Sequence, residues 1–273
     1  MSTTASGIAL NPANSLDWSV RPAPVCPVCL SLAPWFDVVD FNKNCAESKG
    51  FFLPLSGCPI YYARCENCEF CFAPELHQWS AQDMAQRIYN VDYLSVDPDY
   101  VEARPQGSAQ QLQTLFPLLA SQGVMHLDYG SGSGRLSELL CSKGWRSTTF
   151  DPFVPCTVAP AVGQQFGLIT AFEVFEHVAQ LAELGAFLDR HLAPGGVLLV
   201  STLLSDGAVN PGRRLDWWYA SPRNGHISLF SQKSLPLMLG RCGVNAYASL
   251  SSGLHIACKQ AWPEWAQHLL PHD

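Results

Sequence analysis

With 273 residues, 48% of them hydrophobic and 14% charged, the chain has the composition of a packed globule with room for one large and one small domain, which excludes disorder as its dominant state. A formal net charge of −7 is a poor basis for neutralising phosphates, so nucleic acid is not an expected partner. No run reaches the roughly 18 consecutive apolar residues of a membrane span. Met1–Asn14 has neither a basic start nor an apolar core, so residues 1–20 read as a flexible tail. Eleven cysteines without an export signal suggest metal ligands or buried thiols in a reducing, cytoplasmic setting.

Residues 21–78 are rich in Cys, Pro and aromatics and show little helical periodicity. Two C-x-x-C knuckles stand here, Cys26-Pro27-Val28-Cys29 and Cys65-Glu66-Asn67-Cys68. Each can present two thiolates on a tight turn, and four thiolates complete a tetrahedral structural zinc site. The ligands expected are therefore Cys26, Cys29, Cys65 and Cys68, with the intervening Leu30–Arg64 carrying strands or hairpins. Cys71, Cys58 and Cys45 lie close enough in sequence to leave the ligand choice open, and a disulfide, a redox dithiol or an iron–sulfur site are the alternatives.

Residues 79–122 turn helix-like and Gln/Ala-rich, broken at Pro98, Pro105 and Pro117, and read as a helical bridge or lid. Residues 123–262 then alternate apolar strand-like runs with amphipathic stretches, the pattern of a parallel sheet covered by helices, an α/β fold. Strands are expected at Val124–Leu127, Trp145–Phe150, Phe166–Glu173 and Val197–Ser201. Helices are expected at Arg135–Lys143, Ala179–Leu192 and from Ser231 to Leu239. Val244–Ser249 and Leu254–Lys259 are spaced to pair as a terminal antiparallel hairpin, and residues 263–273 read as a tail.

The first of these strands runs into Asp128-Tyr129-Gly130-Ser131-Gly132-Ser133-Gly134. Strand, glycine turn, helix lets a ligand approach backbone amides at a helix N-terminus, and alone it does not say which ligand. Asp128, two residues before the first glycine, suits an ammonium and suits a pyrophosphate poorly. Asp151, ending the next strand, can accept ribose hydroxyls. The alternative is a turn tightened for packing, with both acids merely solvated.

Leu127–Gly134 resembles the first motif of class I methyltransferases. Phe172-Glu173-Val174-Phe175-Glu176-His177-Val178 resembles the stretch after the fourth strand in their small-molecule branch, which includes the ubiquinone-type methylases. Leu192-Ala193-Pro194-Gly195-Gly196-Val197-Leu198-Leu199-Val200 resembles their passage from helix to fifth strand. The matches fall in the family's order over roughly residues 123–259. The resemblance implies a Rossmann-like, mostly parallel, seven-stranded sheet with an antiparallel last strand, and S-adenosylmethionine as cofactor. Its expected contacts are Asp128, Tyr129, Gly130, Ser131, Gly132, Gly134, Asp151, Pro152, Glu173 and Glu176. The sequence departs from the pattern between Asp151 and Phe166, where 14 residues rich in proline leave no room for the usual helix, third strand and helix. The third strand is expected to be reduced, and the adenine-contacting residue is open.

His177, just beyond the fourth strand, has an unperturbed pKa suited to general-base work. A second imidazole, His226, follows Leu215-Asp216-Trp217-Trp218-Tyr219 in a loop resembling one found in many bacterial methyltransferases. His177 and His226 are the candidate catalytic residues; the alternatives are a helix start and an inert histidine under a long loop. In the bridge, Ile88–Tyr93 and Asp97–Pro105 resemble the pre-core helices of the same enzymes, which implies Tyr93 against the donor and Arg104 toward its carboxylate, or aromatic anchors of a linker.

A zinc module beside such a domain resembles both deoxysugar C-methyltransferases and ribosomal-RNA guanine methyltransferases. The acidic balance favours a small-molecule acceptor, a sugar, quinone-like compound or natural product. An RNA methyltransferase, a nicotinamide dehydrogenase and a degenerate donor-binding regulator stay open. Neither the acceptor atom nor the oligomeric state is legible.

Overall fold

The computed structural model describes residues 21–154 and 157–270. The expected tail at 1–20 and the last three residues lie outside them. In chain order the elements are β1 Trp35–Asp40, β2 Pro59–Arg64, β3 Cys71–Phe72, α1 Ala81–Arg87, α2 Tyr93–Val96, α3 Ala103–Leu115, α4 Leu119–Gln122, β4 Met125–Tyr129, α5 Arg135–Cys141, β5 Arg146–Phe150, β6 Phe166–Phe172, α6 Leu181–His191, β7 Leu192–Ser201, β8 Ser228–Leu229, α7 Ser234–Arg241, β9 Ala246–Ser251, β10 Leu254–Cys258 and α8 Glu264–Gln267.

The larger sheet has six strands in the order β5-β4-β6-β7-β10-β9. β5, β4, β6 and β7 run parallel, and β10 is antiparallel to both β7 and β9. Among the described residues no strand follows β5 on its outer side, and the sheet has six strands where the family pattern implies seven. The short Asp151–Phe166 connection cannot supply a crossover. Residues Leu168, Ile169, Ala171, Leu198 and Leu199 are fully buried, as expected for a sheet covered on both faces. On α6, Leu181, Leu184 and Leu188 fall at helical spacing and bury against that sheet. Each such side chain contributes roughly 1.5–3 kcal/mol. The strand after α6 starts five residues earlier than expected, at Leu192. Its pairing with β6 jumps register around Pro194-Gly195-Gly196, where proline has no amide to donate.

The smaller sheet joins distant parts of the chain. Its order is β1-β2-β3-β8, so its fourth strand comes from the loop after β7, some 160 residues downstream of the knuckles. The cysteine region is thus not self-contained. The expected C-terminal tail is also partly ordered: α8 follows Pro263, and Trp265 packs edge-on against Phe116 at a centroid separation of 5.3 Å.

Candidate active site and cysteine centre

The ends of β4, β5 and β6 open into a cavity of about 470 Å³. Its floor is the glycine turn. Gly130, Gly132 and Gly134 all have positive φ, at 74°, 53° and 81°. A Cβ on Gly132 would lie 2.2 Å from the Tyr100 hydroxyl, and one on Gly130 would lie 2.4 Å from Val174. The turn is therefore closed by side chains on two sides, and only glycine fits.

Three carboxylates line the cavity: Asp128, Asp151 and Glu173. Thr170 donates to Asp128 Oδ1 at 3.1 Å. Burial pushes the Asp128 carboxyl up to about 7, with the Asp151 charge adding to the rise and the Thr170 hydrogen bond opposing it. Asp151 Oδ2 accepts from the Gly132 amide at 2.8 Å, and Oδ1 accepts from Phe153 at 2.8 Å. It thereby pins the turn as well as facing the cavity. Glu173 sits at φ 53°, an uncommon conformation for a side chain of this size. Ser201 holds it, donating to Oε1 at 3.0 Å, while burial raises its pKa.

The cation on this wall, Arg104, is clamped by Asp97, with Nη1 to Oδ2 at 3.0 Å and Nη2 to Oδ1 at 2.7 Å. Tyr93 donates to the same carboxylate at 3.2 Å. Tyr93 and Arg104 both line the cavity, and they share Asp97, an acid the sequence did not single out. Tyr129, Ser131 and Pro152 also line it, and Ser131 Oγ is buried without a partner. Tyr89 and Phe153 add an aromatic wall, their ring centroids 6.0 Å apart.

His177 reaches the cavity; Glu176 and His226 do not. Glu176, expected on the donor side, is wholly buried behind it, where Tyr219 donates to Oε1 at 2.5 Å. Burial, with Glu173 nearby, holds its pKa well above the ordinary carboxylate range. His226 stands behind His177 with ring centroids 4.8 Å apart, and its Nδ1 lies 2.8 Å from the Tyr219 carbonyl. Burial lowers both imidazoles, His177 to about 4, so both are neutral near pH 7. Potential ligand atoms of Glu176, His177 and His226 lie within 4.8 Å of one another. Glu176 Oε2 and His177 Nδ1 are buried with no hydrogen-bond partner.

The four knuckle sulfurs also converge within 4.8 Å. Cys26 and Cys68 Sγ are 3.6 Å apart, and Cys29 and Cys65 Sγ 3.4 Å, none of them in a disulfide. A tetrahedral zinc with bonds of about 2.3 Å separates its sulfurs by roughly 3.8 Å, so the donor set and spacing fit. Cys71 is buried in β3, and neither it, Cys58 nor Cys45 joins this cluster.

Residues 100–248, more than half of the chain, match the family model described as methyltransferase domain. The chain belongs to this methyltransferase family. The match opens inside the bridge and takes in the clamped Arg104, the glycine turn and both histidines. A curated relative, the ubiquinone biosynthesis O-methyltransferase of Methylobacterium sp. (strain 4-46), is 32% identical over 103 residues, 30% of this chain and 41% of the relative. The chain thus spans well under half the length of that relative. Among solved structures, human N-acetylserotonin methyltransferase in complex with S-adenosylmethionine is similar at 16% identity and a TM-score of 0.45, covering 65% of this chain and 60% of that one. The 1,6-didemethyltoxoflavin-N1-methyltransferase of Burkholderia thailandensis is similar at 15% identity and a TM-score of 0.45, covering 74% and 96%.

Proposed function

We propose that this chain transfers a methyl group from S-adenosylmethionine to a small, planar hydroxylated acceptor. The observation that carries the donor is the charge of the cavity: three carboxylates against one arginine already committed to Asp97. Such a wall favours a ligand with ammonium and sulfonium charge and repels a dinucleotide's pyrophosphate. Asp128 would take the ammonium, Asp151 the ribose hydroxyls, and the amides and the free Ser131 hydroxyl the remaining polar atoms.

The donor supplies an activated methyl for in-line displacement, in which the acceptor oxygen–carbon bond forms as the sulfur–carbon bond breaks. The protein's part is to align, to exclude water and to take the acceptor's proton. His177, neutral and on the cavity wall, is the proton acceptor in this reading. The Tyr89 and Phe153 rings suit a flat acceptor, in keeping with the ubiquinone-type relative. The four cysteines would hold a structural zinc.

Calorimetry separates the donor classes: S-adenosylmethionine should bind and NAD should not. Release of S-adenosylhomocysteine across panels of phenols, amino sugars and RNA then tests the acceptor. Binding of NAD alone would overturn the reading, and turnover only on RNA would overturn the acceptor class.

A second reading of the inner cluster is favoured by its two unpartnered atoms. Glu176 Oε2, His177 Nδ1 and His226 offer a divalent cation two imidazoles and a carboxylate. A cation there would lower the pKa of an acceptor hydroxyl in place of a protein base. Chelation that strips this cation while leaving one zinc per chain should then abolish turnover; unchanged turnover favours His177 as base.

A further inference from the structure

Behind Asp128 the sheet interior holds a line of polar side chains where apolar ones are the rule. His126 is on the same strand, two residues earlier, and is fully buried. Its Nε2 lies 3.0 Å from Thr170 Oγ1, and Thr170 donates onward to Asp128 Oδ1 at 3.1 Å. Its Nδ1 lies 2.7 Å from Ser147 Oγ on β5, and the Ser147 and Ser137 hydroxyls are 2.7 Å apart. A buried imidazole in a sheet core costs free energy unless it finds polar partners, and here each nitrogen has a hydroxyl within 3.0 Å.

The polarity of the line follows from its end. An ionised Asp128 only accepts, so the Thr170 proton points to it. Thr170 Oγ1 is then free to accept, which assigns the proton of the neutral imidazole to Nε2; Nδ1 lies beside Ser147 Oγ, whose own proton goes to Ser137. Burial holds His126 far below its ordinary value, at about 3, so it is neutral at every working pH.

We infer that Thr170 and His126 are positioning residues for the methyl donor: they hold Asp128 in one rotamer, ionised, facing the donor's ammonium. The inference rests on the donor reading proposed above. The line runs through β5, β4 and β6, the three strands that build the cavity, so it fixes the carboxylate to the rigid part of the fold rather than to a loop. The groups facing Asp128 from the packed elements are Asp151 at the end of β5, Tyr100 above the glycine turn, Thr170 on β6 and His126 on its own strand. Asp151 raises the Asp128 pKa and Tyr100 carries no charge near neutrality, which leaves Thr170 as the donor that counters burial. Removing that hydrogen bond moves ionisation, and with it donor binding, to higher pH.

The test uses the full chain with two probes, S-adenosylhomocysteine, which carries the ammonium, and methylthioadenosine, which lacks it. In Thr170→Val, S-adenosylhomocysteine should bind roughly tenfold more weakly at pH 7. The pH midpoint of its binding should rise by about one unit. Methylthioadenosine should bind as to the wild type, which also reports a folded pocket. Thr170→Ser should restore both values, and His126→Leu should fall between them. Equal weakening of both probes, or an unmoved midpoint, would overturn the positioning role. Failure of both probes to bind the wild-type chain would instead overturn the donor reading, and this inference with it.

Discussion

Tyr62, on the second strand of the cysteine sheet, donates its phenolic proton to the backbone carbonyl of His226 at 2.7 Å. Around this bond, β3 pairs with β8 two residues beyond His226, and Ser231 donates to the Cys68 carbonyl at 2.9 Å. Arg241 donates to the carbonyls of Pro27 and Val28 in the first knuckle. The cysteine centre and the inner histidine are thus built on one sheet.

Loss of the proposed zinc should therefore act at a distance. Cys68→Ser, or prolonged chelation, should lower turnover by more than tenfold. Donor affinity should stay within about threefold, because the glycine turn belongs to the other sheet. Metal analysis, calorimetry and initial rates on the same preparation check this; less than about half an equivalent of zinc after metal-replete expression would count against the site itself.

The two histidines are separable by position. His177→Ala and His226→Ala should each cut turnover by more than tenfold with donor binding intact. Because burial lowers both, His177 to about 4, neither should impose a rate limb near the ordinary imidazole value. Wild-type turnover in His226→Ala would remove that residue from the chemistry.

Asp128 links binding and stability. Its folded-state pKa is raised to about 7, so the folded chain holds a proton there that the unfolded chain releases near the ordinary aspartate value. Stability from this group is full below the unfolded value and is lost as pH rises toward 7. Asp128→Asn should thus be more stable than wild type at pH 8, by roughly 2 kcal/mol. It should also lose donor binding. In the wild type, kcat/KM for the donor should fall below pH 7 while kcat falls at lower pH, since a bound ammonium favours the ionised acid. Thermal melts at pH 5 and pH 8 and a pH–rate series read both effects.

Gly132→Ala should be among the most damaging small substitutions. The new methyl meets the Tyr100 hydroxyl, and the residue keeps φ at 53°. A stability loss of about 1–3 kcal/mol is expected from the backbone alone. Adding Tyr100→Phe should relieve the contact with the hydroxyl and recover part of that loss, measurable by denaturant unfolding.

Much of this was legible without coordinates because it is local in the chain. The apolar runs, the glycine turn of 130–134, the acids ending β4 and β5 and the terminal hairpin all lie in short windows whose periodicity and turn chemistry decide them. That no third strand stands among the described residues was foreshadowed for the same reason, since 14 residues cannot build a crossover. The C-x-x-C spacing likewise pointed to the four cysteine sulfurs that come together, although not to β8 completing their sheet.

Tertiary structure alone decided which polar groups meet. Glu176 was placed with the donor by its neighbours in sequence, yet the turn after β6 sends it behind the cavity to Tyr219, 43 residues on. Asp97 as the anchor of Arg104, the His126–Thr170 line to Asp128, and Tyr62 beneath His226 carry no signature in their own windows. Hydrogen bonds between distant strands depend on register and burial, which the long-range packing of apolar side chains fixes. The sequence thus determined the donor-type turn and its acids; the packing determined which buried partners set their charge.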